Sequence, residues 1–88
     1  MSNKNLNEFY MIYSLDGCPY SVDAERILKE NKLPHDVIRV PRDENLKQFY
    51  KERHQMGSFP QIFYIHKGQN KTYFDKVGGR DDLVRFLS

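Results

Sequence analysis

Cysteine occurs once in this 88-residue chain, at position 18. A single thiol rules out an internal disulfide, so the fold must stand on a hydrophobic core, and any disulfide the chain makes joins it to another molecule. For a short chain this is a severe demand, because a small domain buries a smaller share of its surface than a large one. Hydrophobic residues at 39% and charged residues at 30% are compatible with such a core and not with a disordered chain. One domain over residues 1–88 is expected, with the polar residues 1–7 flexible.

Glu8 to Ser14 (EFYMIYS) reads as a buried strand, interrupted by Leu15-Asp16-Gly17-Cys18-Pro19. Pro19 suits the first turn of a helix, where a missing N–H costs nothing. Tyr20, Ala24, Ile27 and Leu28 then fall on one helical face, and Asn31 to Pro34 stops the helix. His35 to Val40 is a second strand closed by Pro41. Asp43 caps a second helix with Leu46, Phe49, Tyr50 and Arg53 on one face. After the loop Met56 to Pro60, Gln61–His66 and Lys71–Val77 form a hairpin around Lys67-Gly68-Gln69-Asn70. Gly78-Gly79 ends the sheet, and Asp81 to Leu87 is a final helix with Leu83, Val84 and Leu87 apolar. The order is β-α-β-α-β-β-α: a helical crossover makes the first two strands parallel, and the hairpin makes the last two antiparallel.

The net charge is +2, with Lys and Arg interspersed among Asp and Glu. No single-sign block points to nucleic acid or a membrane surface. The first seven residues lack the apolar core of a signal peptide, and no apolar run approaches membrane-spanning length. A monomer in a reducing, cytoplasmic compartment is expected. His35, His54 and His66 have no metal-ligand spacing and read as surface histidines, so no metal site is expected.

Cys18 sits between a strand and the start of a helix. The unpaired N–H groups of a first helical turn, and the positive end of the helix dipole, favour a thiolate over a thiol. The thiolate is the species that attacks disulfides. A lone cysteine taken at random is more often a small buried hydrophobe; the strand-to-helix corner reverses that preference.

Cys18-Pro19-Tyr20-Ser21 resembles the C-P-Y-C motif of glutaredoxins, with serine in place of the second cysteine. Ser58-Phe59-Pro60 resembles the family's T-V-P segment, whose proline is cis. Gly78-Gly79-Arg80-Asp81-Asp82 resembles the glycine pair that opens its last helix. The three motifs stand in family order from Glu8 onward. The resemblance implies an α/β, thioredoxin-like fold with a central four-stranded mixed sheet flanked by three helices, and a redox enzyme that exchanges disulfides and serves electron transport with glutathione as co-substrate. It also implies roles. Cys18 is the nucleophile that becomes glutathionylated, and Tyr20 flanks the glutathione. Pro60 sits against Cys18 and leaves the Phe59 backbone to pair with the cysteinyl part. Gly79 and the amides near Arg80 and Asp81 take the γ-glutamyl carboxylate, while Asp81 and Asp82 receive its ammonium. Partners are glutathione and glutathionylated or disulfide-containing proteins, ribonucleotide reductase being a usual family client.

Three departures qualify the match. Ser21 occupies the resolving position, so dithiol chemistry would need a cysteine there and only the one-cysteine route remains. Leu15 and Gly57 replace basic residues that usually help hold the glycyl carboxylate. Lys47 or Arg53 of the second helix is expected to supply the missing charge, Lys47 being the better placed. The Gln61–Val77 hairpin is also longer than in most glutaredoxins. Two further function classes fit the same residues. One is a module that binds or delivers a glutathione-ligated [2Fe–2S] cluster, although those proteins usually carry C-G-F-S. The other is a thioredoxin-fold binding module without catalysis, in which the thiol would titrate normally.

Overall fold

Strand and helix follow one another as the hydrophobic periodicity predicts. The computed structural model describes residues 7–88, and the segment 1–6 lies outside the described residues. The elements are β1 (Glu8–Leu15), α1 (Pro19–Glu30), β2 (His35–Val40), α2 (Glu44–His54), β3 (Gln61–Lys67), β4 (Thr72–Gly78) and α3 (Arg80–Leu87). One sheet results, in the order β2-β1-β3-β4. β1 runs parallel to β2, with Leu15 opposite Val40, and antiparallel to β3, with Tyr13 opposite Gln61. β3 and β4 form the antiparallel hairpin. This is the four-stranded mixed sheet with three helices that the resemblance implies.

Side chains alternate across a strand, so β1 serves two layers. Tyr10 and Ile12 point to the face covered by α1 and α3, where they join Ala24, Leu28, Ile62 and Leu83 in the main core. Tyr13 and Leu15 point to the other face, covered by α2. There Leu15, Val40 and Phe59 are buried, and Tyr13, Cys18 and Tyr50 pack against them.

Two helical faces differ from the sequence expectation. In α1 the buried positions are Ser21, Ala24 and Leu28. Tyr20 lies outside that stripe and is 56% exposed, because the helix turns its serine, not its tyrosine, toward the sheet. In α2 no residue is fully buried, and Leu46 and Phe49 stay exposed. The contact to the sheet comes from Tyr50 and His54, whose rings lie 5.1 and 4.5 Å from that of Tyr13. His54 is therefore no surface histidine. It is half-buried, 4.9 Å from the Phe63 ring, and its Nδ1 is 2.7 Å from Oε1 of the fully buried Gln61. Val84, expected on the apolar face of the last helix, is also exposed.

Three chain ends meet at one edge of this frame: the end of β1, the start of β3 and the end of β4. At the last, Ile62 pairs with Gly78 and Phe63 with Lys76, which leaves Val77 as an extra residue in β4. Such a bulge twists the strand locally and re-aims the residues beyond it. Gly78 then takes φ +120°, and a side chain there would place its Cβ 2.3 Å from Oδ2 of Asp82. The chain reverses directly into α3.

Candidate active site

Cys18 is the N-cap of α1, with φ −88° and ψ 118°, and Pro19 stands at the first helical position. An N-cap side chain faces the N–H groups of the second and third helical residues, here Tyr20 and Ser21. No acidic residue stands in this first turn, so no carboxylate competes for them. The thiol is partly exposed. Its partial burial acts to raise the pKa. That effect is outweighed by the Ser21 N–H, the Ser21 hydroxyl, the Tyr20 N–H and the charge of Arg42, so the thiol ionises below the ordinary cysteine range. The corner is fixed from behind: the Cys18 N–H donates to the Leu15 carbonyl at 3.1 Å, and the Asp16 N–H to the Val40 carbonyl at 3.0 Å.

Arg42 is a site residue that the sequence motifs do not mark. Its Nε lies 3.4 Å from where a Cβ on Gly17 would stand, and Gly17 itself has φ +71°. A signal for it existed. Because β1 and β2 are parallel and in step at Leu15 and Val40, the residues just after Val40 must lie beside those just after Leu15. Lys47, the cation expected there, has its Nζ 2.8 Å from Glu44. Arg53 lies near the opposite end of α2, beside Met11, His54 and Phe74.

The other segments converge on the same corner. The Phe59–Pro60 peptide bond is cis. The Phe59 side chain is buried in the cluster that Cys18 touches, while among the described residues neither its N–H nor its carbonyl bonds another backbone group. Position 79 borders the Pro60 carbonyl, which is 3.8 Å from the place of a Cβ on Gly79. α3 begins there, and Oδ2 of Asp82 accepts the Gly79 N–H at 2.9 Å. The same carboxylate pairs with Arg85, so Asp82 is committed to closing the helix end, and these bonds hold its pKa down. The Asp81 side chain is 72% exposed, and its Oδ1 lies 2.8 Å from Nε of Arg80. The Arg80 guanidinium folds back toward α1: Nη1 is 2.7 Å from Asp23, and the group lies 4.9 Å from the centre of the Tyr20 ring. A salt bridge and a ring contact thus tie the starts of α1 and α3 together beside Cys18.

Known proteins resemble this chain in sequence and fold. The family model for glutaredoxin matches residues 10–69. The chain belongs to the glutaredoxin family. It is similar to glutaredoxin 1 of Rickettsia felis, 33% identical over 88 residues that cover 93% of this chain and 86% of that protein. A second relative, glutaredoxin 1 of Rickettsia conorii, is 31% identical with the same coverage. Among solved structures, the glutaredoxin of Brucella melitensis superposes with a TM-score of 0.64 at 30% identity, covering 90% of this chain and 77% of that one. Glutaredoxin 1 of Francisella tularensis, solved with cacodylate, supports the fold with a TM-score of 0.68 at 24% identity, covering 91% and 92%. As a glutaredoxin, the protein is a thiol–disulfide oxidoreductase with a thioredoxin-like fold. Its one cysteine lies where that chemistry requires an activated thiol.

Proposed function

We propose that this glutaredoxin removes glutathione from mixed disulfides through Cys18 alone, with glutathione as co-substrate. The Cys18 thiolate attacks the glutathione sulfur of a glutathionylated protein. The S–S bond breaks, and the protein thiolate leaves and takes up a proton. A second glutathione thiolate then attacks the glutathione sulfur bound to Cys18. Oxidised glutathione departs, and the electron pair of the broken bond returns to Cys18. In sum, one mixed disulfide is reduced and two glutathione units are joined.

The observation that carries this reading is the convergence of the activated thiol, the unpaired Phe59 backbone and the start of α3 on one corner of the sheet. The Phe59 N–H and carbonyl suit the cysteinyl part of a tripeptide, as an added strand would. The amides of Arg80 and Asp81 open a helix and suit the γ-glutamyl carboxylate. Asp81, exposed and with one oxygen paired to Arg80, suits its ammonium better than Asp82, both of whose oxygens are engaged. Tyr20, held by Arg80, forms the flank. Arg42 takes the place expected of Lys47 as the cation near the thiol, and it suits the glycyl carboxylate. The reaction requires a compartment that maintains reduced glutathione, which fits the expected cytoplasmic setting.

Intact mass after incubation with oxidised glutathione tests the reading. The protein should gain one glutathionyl group, and Cys18→Ser should gain none and lose turnover of a glutathionylated peptide. Normal turnover by that variant would sink the assignment.

A further inference from the structure

We propose that the sheet holds a second ligand site beyond the end of α2, and that it takes a small aromatic carboxylate. α2 covers only part of its face of the sheet. It ends at His54, and Gln55 turns left-handed at φ 54°. Met11 stands opposite Phe63, and Ile65 opposite Phe74, so these side chains share the face that Tyr13 presents to α2. With Tyr13 they line a cavity of about 410 Å³, which His54 and Arg53 complete. That volume lies within the usual range of small-molecule sites, about 300–1,000 Å³. Ile65 is 4% exposed and forms its floor, while Phe74, 67% exposed, forms its edge. His54 is a fixed wall: its ring meets that of Phe63 edge-on at 4.9 Å, and its Nδ1 bonds Gln61.

The charge around this cavity has one sign. None of its lining residues is acidic. Arg26, Arg39, Arg80 and Arg85 each hold a carboxylate. Arg53 holds none among the described residues. Lys76, opposite Phe63 on the same face, adds a second cation and donates to the Gln55 carbonyl at 3.3 Å. The carbonyl end of α2 would repel an anion if left open. It is closed instead, because the N–H groups of Gln55 and Met56 bond the Glu52 and Lys51 carbonyls. A flat ring suits walls made of Tyr13, Phe63 and Phe74, and a carboxylate suits the fork of a guanidinium. Glutathione, with no ring and an ammonium group, matches neither. Of the lining residues only Tyr13 also belongs to the cluster that Cys18 joins. Met11 stands four residues before Leu15 on β1, roughly 13 Å along the strand. A ligand here need not touch the thiol.

The test is an NMR titration of the isotope-labelled, full-length chain with 2-naphthoate, read from backbone amide shifts. Saturable shifts centred on Arg53, Phe63, Ile65 and Phe74 are expected, with a Kd of about 1 mM or below. Arg53→Gln removes a charge-assisted hydrogen bond and should raise that Kd about ten-fold. The same variant should leave the weaker binding of the neutral naphthamide unchanged. Phe74→Ala should weaken both. Cys18→Ser should bind naphthoate as the unaltered protein does, and reduced glutathione should not displace it. Shifts that stay linear to about 10 mM, that centre on Cys18 and Gly79, or that ignore Arg53→Gln overturn the proposal. So do shifts of the same amides with protein concentration alone, since a second copy of the chain would then cover the cavity. None of these readouts needs turnover, so the proposed reaction can fail and leave the site standing, or the reverse.

Discussion

Helices α1 and α2 begin on nearly the same backbone. Cys18 caps α1 with φ −88° and ψ 118°, and Asp43 caps α2 with φ −117° and ψ 120°. The chemistry then diverges. Asp43 accepts the N–H groups of Asn45 and Leu46 at 2.9 and 3.0 Å, and Glu44 adds a second carboxylate to the first turn. α1 has a sulfur, a proline and no acid in the same places. In α2 the positive helix end is neutralised by side chains that do no chemistry. In α1 the same end is left for the nucleophile to satisfy, and satisfaction requires that the nucleophile be charged. One local geometry thus gives a structural cap in one place and a reactive thiol in the other. The difference lies in whether a permanent anion is supplied.

α3 extends the comparison, since it too is closed by a carboxylate, that of Asp82 on the Gly79 N–H. Here lies the largest expected effect. Gly78→Ala introduces a side chain at φ +120° and drives its Cβ to within 2.3 Å of the capping carboxylate. Backbone strain of roughly 1–3 kcal/mol adds to a lost cap of about 1 kcal/mol. A loss of about 2–4 kcal/mol is expected, seen as a fall in Tm of more than about 10 °C. The Cys18 alkylation midpoint of the folded variant should stay in place. A shift of about one pH unit would mean that the cap of α3 acts on the Cys18 thiol through the Arg80 link to α1, and the contrast between structural and reactive caps would break.

Much of the fold is legible in the sequence. Element types and order follow from periodicity and from Gly and Pro punctuation, and the strand boundaries moved by at most one residue. The Cys18 corner is legible because a strand, a break and a proline in that order leave few arrangements. What escapes depends on which way a side chain turns in three dimensions. Helical spacing allows Tyr20 or Ser21 on the buried face, and apolarity favours tyrosine. The structure buries the serine because the Leu15 N–H needs an acceptor at that point. Lys47 is favoured by its place on the second helix, yet Glu44, three residues back, is its nearer partner. Arg42 is easily overlooked because its proximity to Cys18 emerges only once β1 and β2 are set side by side in register.

The cap of α2 predicts a moderate effect of a purely structural kind. Asp43→Ala removes the acceptor for two N–H groups and should cost about 1 kcal/mol in denaturant unfolding. It should not change the reactivity of Cys18, because the two helix ends share no hydrogen-bond partner. A matching fall in alkylation rate at constant pH would show the two ends to be coupled.

The smallest effect is also the most direct test of the contrast, since it makes α1 resemble α2. Pro19 is exposed at the first helical position, the place that Glu44 occupies in α2. Pro19→Glu would supply the permanent anion that α1 lacks, with Pro19→Gln as the control for the lost proline. A carboxylate at a helix start interacts with it by about 0.3–1 kcal/mol, and beside a thiolate it also repels. The Cys18 midpoint should therefore stand higher in the Glu variant than in the Gln variant by roughly 0.2–0.7 unit. The gap should narrow in 1 M salt, where screening acts within about 3 Å. The sign carries over to stability. A thiol whose folded pKa is depressed stabilises the fold above its unfolded value, and that contribution is lost as the pH falls through the folded value. Pro19→Glu should flatten this dependence relative to Pro19→Gln, and Cys18→Ser should remove it. If the Glu and Gln variants titrate alike at low salt, the missing carboxylate is not what separates the reactive helix start from the inert one.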